Sequence, residues 1–92
     1  MEGSRMINTD NLQPEDLARA TTALQRLYDE FEQRRGISPD TRDESRCVAI
    51  CLGLEDTYVP DALIDEIWER EQNESLDIPG LAALHVAALR HN

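Results

Sequence analysis

PEDLARATTALQRLYDEFEQRRG, residues 14–36, is the stretch on which the fold turns. Leu17, Thr21, Leu24, Leu27 or Tyr28, and Phe31 recur at spacings of three and four, with Ala20 filling in. That period makes one side of a helix apolar. Pro14 suits a first turn, and Glu15 and Asp16 follow where the helix dipole favours negative charge. Arg34 and Arg35 occupy the last turn and Gly36 lies just past it, the usual stop signal. The first helix is therefore expected over 14–35.

Working outward, the Ser38-Pro39 pair marks a short loop. Thr41 with Glu44 three residues on has the form of a capping box. The apolar run Cys47 to Leu52 follows, and a second helix is expected over 41–53 as the buried central one. Residues 55–59 connect it to a third helix over 60–73, opened by Pro60, with Ala62, Leu63, Ile64, Ile67 and Trp68 on one side. Asp77 caps a fourth helix over 78–90, with Pro79 in its first turn. On the other side, residues 6–12 form a polar leader in which Leu12 is a candidate staple. Met1 to Arg5, ahead of a second methionine at Met6, reads as an expression scar. The expectation is one all-α domain over 6–92, a small four-helix bundle with short connections.

Composition narrows the function. The 92 residues are 40% hydrophobic and 30% charged, a globular rather than a disordered balance. Nineteen acids against nine basic residues, all of them arginine, give a formal charge of −10. An acidic surface disfavours contact with nucleic-acid phosphate or anionic membrane, both of which select basic footprints. No apolar run approaches the roughly 18 residues of a transmembrane helix, and a cytoplasmic setting is expected.

The acids are not evenly spread. Residues 55–77 hold nine of them against the single Arg70. On helix three, Asp61, Asp65 and Glu69 repeat at i, i+4 and i+8, one row of like charge. Each such pair costs about 0.2–0.5 kcal/mol in an isolated helix, so the row is not there for local stability. Together with Glu66 it forms a candidate docking face for a basic partner protein, whose approach the field would accelerate. The bland alternative is a solvated surface helix. Trp68 is placed on the side away from Asp61 and Asp65, as a core anchor. Exposed beside the acidic row it would instead be a hot spot, and Ile64 is a second candidate anchor.

Chemistry-bearing constellations are sparse. Cys47 and Cys51 sit one turn apart in an apolar run, where free thiols in a reducing compartment are expected rather than zinc ligands or a disulfide. His85 lies within an apolar arc and is expected to be packed against a carbonyl or carboxylate. His91 is terminal. Glycine-rich phosphate loops, metalloprotease helices and nucleophile elbows are missing from the sequence. No catalytic residue, cofactor or metal is assigned.

The expected function is thus non-enzymatic: a regulatory protein–protein interaction module, an inhibitor or antiactivator that binds a basic, nucleic-acid-binding partner. The alternative is a helical dimeric DNA-binding regulator that uses the Arg34–Arg46 region, although acids interleave with the arginines there. The alanine-rich fourth helix offers a seam for a homodimer, or else an intramolecular packing face.

Overall fold

The structure is a computed structural model that describes residues 6–91. The five residues read as an expression scar lie outside that range. Four helices follow in order, α1 (Pro14–Arg35), α2 (Thr41–Cys51), α3 (Asp61–Glu74) and α4 (Ile78–Leu89), and no strand occurs among the described residues. The all-α, four-helix bundle-like fold is as expected, with α2 and α4 ending slightly early. Leu52 caps α2, and Gly53 takes a left-handed φ of 73° just beyond it. Pro60 is the extended residue before α3 rather than its first turn.

α4, not α2, is the central helix. From Leu81 to Leu89 every residue except Ala83 is buried. α4 packs on all three other helices, whereas the backbones of α1 and α3 have no Cα atoms within 8 Å of each other. The physical reason is charge. α4 carries no Asp, Glu, Lys or Arg between Asp77 and Arg90 and a single polar side chain, His85, beyond its first turn, so it is apolar on nearly every side and must be covered there. α2 begins with charged residues, and Arg42, Arg46 and Ile50 share an exposed row at i, i+4 and i+8. Its apolar run therefore covers one side of α4 and leaves the other to solvent. Of the alanines weighed as a dimer seam, Ala82, Ala87 and Ala88 are buried in intramolecular packing and Ala83 is half-buried.

The core is aliphatic: Leu24 from α1, Val48 from α2, Leu63 and Ile67 from α3, and Leu81, Leu84 and Val86 from α4. Each large member stabilises the fold by about 1.5–3 kcal/mol relative to exposure. The leader joins this core through Ile7, which is 5% exposed.

The caps hold one surprise. α1 stops at Gly36, whose left-handed φ of 67° lets its N–H reach the carbonyls of Phe31 and Glu32. The Arg35 guanidinium lies 4.8 Å from the Phe31 ring centroid. At α2, however, the N-cap is Asp40, one residue before the expected Thr41. Its side chain accepts from the Asp43 N–H at 2.8 Å, and Asp43 accepts from the Asp40 N–H at 3.3 Å. The reciprocal box is Asp40–Asp43, which frees Glu44 from the cap and turns it inward.

Candidate functional site: the outer face of α3

α3 is an amphipathic helix whose buried stripe is Leu63, Ile64 and Ile67. Ile64, 7% exposed, belongs to the core and is no surface anchor. Opposite this stripe the helix faces solvent with Asp61, Asp65, Trp68, Glu69 and Gln72. Trp68 is 54% exposed. The core assignment of this residue is overturned, and so is its placement away from the acids. Seven residues bring a side chain back to within about 20° of its starting direction around an α-helix, so Trp68 stands two turns above Asp61 and beside Asp65. The chain's only tryptophan thus stands at the edge of the acidic row, between it and the buried stripe.

The four acids differ in their engagements. Asp65 and Glu69 are exposed, and no ion pair reaches either among the described residues. Asp61 forms an ion pair with Arg42 of α2, whose guanidinium also donates to the Val59 carbonyl at 3.0 Å. Glu66 is not part of the outer face. Its side chain is nearly buried, and its oxygens accept from the backbone N–H groups of Met6 and Ile7 at 3.0 and 3.1 Å. Arg70 completes this clasp, donating to the Ile7 carbonyl at 3.1 Å while lying 3.6 Å from Glu66 and 3.4 Å from Glu74. Glu66 ties the leader to α3, a role that rests on contacts some sixty residues apart in the chain.

A second polar constellation lies inside. His85 is wholly buried and Glu44 is 1% exposed, with the His85 Nε2 3.0 Å from a Glu44 oxygen. The other Glu44 oxygen accepts a hydrogen bond from the Tyr28 hydroxyl. Burial raises the Tyr28 phenol far above its ordinary range, and the hydrogen bond and charge of Glu44 add to it. His85 is thus packed against a carboxylate. With Nε2–H donating to Glu44, its buried Nδ1 has no hydrogen-bond partner. Glu71 of α3 is half-buried. Burial first, and the Glu44 charge second, raise its carboxyl above the usual range. Three helices each contribute an ionisable side chain to this node: Tyr28 from α1, Glu44 from α2 and His85 from α4.

Cys47 and Cys51 are free thiols, half-buried rather than fully so. Burial raises the Cys47 thiol, with Cys51 and Glu30 adding to the shift, and its Sγ lies 3.5 Å from the Ala23 carbonyl oxygen. Among the described residues no group of three or more His, Cys, Asp or Glu side chains is placed to hold a metal ion. In the arginine region, Arg34 pairs with Glu30 at 3.5 Å, Arg42 with Asp61, and Arg35 stacks on Phe31. No described helix is long and apolar enough to cross a membrane. Neither a protein-family model, nor a curated protein, nor a solved structure matches the chain.

Proposed function

We propose that this chain is a non-enzymatic interaction protein of the cytoplasm that binds a basic partner protein through the outer face of α3. The observation that carries this is the exposed Trp68, set beside Asp61, Asp65 and Glu69. An aromatic side chain left in water on a thin-cored protein costs burial that the fold had every use for. Flanked on one side by carboxylates, it has the make-up of a hot spot: a large apolar anchor beside charges that steer the partner and fix its orientation. A partner that binds nucleic acid carries the complementary basic surface, and covering that surface would make this chain an inhibitor or antiactivator. Small acidic helical proteins of this physical type include immunity proteins and phage- or plasmid-borne inhibitors, an analogy of type alone.

The test is a pull-down from lysate of the source cell with three baits. They are the wild type, an Asp65→Arg, Trp68→Ala, Glu69→Arg variant, and a control with Glu32→Arg and Glu55→Arg on other exposed surfaces. A basic protein kept by wild type and control, and lost by the α3 variant, is the expected outcome. A partner retained by all three baits would clear α3 and refute the proposal.

A further inference from the structure

Where α1 meets α2 the surface holds a groove, lined by Leu27 and Phe31 of α1 and by Asp43, Arg46, Cys47 and Ile50 of α2. Its volume is about 320 Å³. Ile50 is 59% exposed, and Leu27, Phe31 and Cys47 are half-buried. Apolar side chains exposed singly are ordinary, but four that line one groove form a patch of the kind that marks a contact surface. The two charged residues differ. Asp43 is engaged in the α2 cap, accepting from the Asp40 N–H. Arg46 is exposed, and among the described residues no ion pair reaches it.

The groove therefore sets an apolar slot beside one uncompensated guanidinium. Its complement is a large apolar side chain with a carboxylate close by, and α3 of the same chain presents that pair. Asp65 and Trp68 are three residues apart on α3, and Arg46 and Ile50 are four apart on α2. Both spacings bring side chains to within about 5–6 Å of each other on a helix surface, so the two pairs match in span. Trp68 does not fill the groove of its own chain, because it is exposed and the backbones of α1 and α3 keep apart. A second copy brings the two surfaces together.

We propose that the α1–α2 groove receives α3 of a second copy of this chain, with Trp68 seated against Leu27, Phe31 and Ile50 and Asp65 set opposite Arg46. Each contact joins two different surfaces, a groove and a helix face. The formal charge of −10 opposes the approach of two copies, so the association is weak and reversible. It covers Trp68 and Asp65, and thereby takes the docking face out of use until a tighter partner displaces the copy. That consequence rests on the proposed function, whereas the contact itself does not.

The test uses the full chain alone, followed by sedimentation and by tryptophan emission from about 10 μM to about 1 mM, the range of weak contacts. In the wild type, mass is expected to rise with concentration while the emission of Trp68, the only tryptophan, moves to the blue. Two variants altered at exposed positions, Trp68→Ala and the double substitution Arg46→Glu, Ile50→Gln, are expected to stay monomeric with unchanged far-UV circular dichroism. The first keeps the groove and the second keeps the indole. Adding the tryptophan-free Trp68→Ala chain to the groove variant is therefore expected to restore the blue shift and give the mass of a dimer. A wild type that is monomeric throughout, association that survives in either variant, or a mixture with unshifted emission would each overturn the proposal. None of these results involves the partner, so they leave the docking proposal to its own experiment.

Discussion

The buried node makes a prediction about non-additivity. Glu44→Leu removes the acceptor at its centre and strands the Tyr28 hydroxyl and the His85 Nε2–H, while His85 Nδ1 is already without a partner. Leaving a buried donor without its acceptor costs about 1–3 kcal/mol, and here two are left so. For a chain of this length total stability is about 5–14 kcal/mol, so the single substitution consumes a large part of it. At about 4–8 °C per kcal/mol, Tm should fall by at least about 8 °C. In the triple variant Tyr28→Phe, Glu44→Leu, His85→Leu, every stranded group has been replaced by an apolar one of similar size. Replacing a whole buried ionic set in this way is often neutral or stabilising. The triple should therefore lie within about 2 kcal/mol of the wild type and be more stable than its own single-mutant parent. Urea unfolding at pH 7, followed by far-UV circular dichroism, measures both, with an unchanged m-value as the condition for comparing midpoints. A triple variant no more stable than Glu44→Leu would refute the account of the node as mutually satisfied polar groups in a dry core.

Three further outcomes are expected. Asp40→Ala should destabilise the protein by about 0.5–2 kcal/mol through loss of the α2 cap, and Asp43→Ala should lower stability less; equal midpoints for Asp40→Ala and wild type in the same urea titration would contradict the Asp40–Asp43 box. The Cys47 thiol, half-buried and with its pKa raised, should react with a thiol-specific disulfide reagent at pH 8 more slowly in folded than in urea-unfolded protein. Chelator treatment should leave Tm unchanged, and equal labelling rates in the two states would show that Cys47 is not protected by the fold.

What the sequence disclosed follows from the range over which each feature is determined. The stripe of α1, its acidic start and its glycine stop are local, and they fixed that helix to the residue. The α2 cap is local too, but two pairs at the same spacing compete for it, Asp40 with Asp43 and Thr41 with Glu44. Choosing the second pair hid Glu44, the one carboxylate that the core needed, and with it the node. The central position of α4 was legible in the absence of charge between Asp77 and Arg90, a stronger sign than the short apolar run of α2. Trp68 was also within reach, since seven-residue spacing alone puts it above Asp61. The Glu66–Arg70 clasp was not, because its partners lie in a leader about sixty residues away in sequence and nothing in either segment announces the other.

The same distinction governs how much charge α3 offers a partner. By count, the segment 55–77 is overwhelmingly acidic, with Arg70 as its one base. In space the excess is smaller. α2 lends Arg42 to Asp61, Arg70 serves both Glu66 and Glu74, and Glu71 is half-buried in line with Ile64 and Ile67. Exposed ion pairs contribute little to stability, so Asp61 can exchange Arg42 for a partner's base at small cost. Glu66 cannot, because its oxygens hold two leader N–H groups that would be left without acceptors. The charge available without disturbing the fold is therefore Asp65 and Glu69, with Asp61 next, and Asp61 and Asp65 lie on the Trp68 side of the row. A partner selected by this face needs an apolar pocket for the indole and two or three basic groups around it. Binding through so few charges should weaken with salt only moderately, because the buried aromatic contact is not screened.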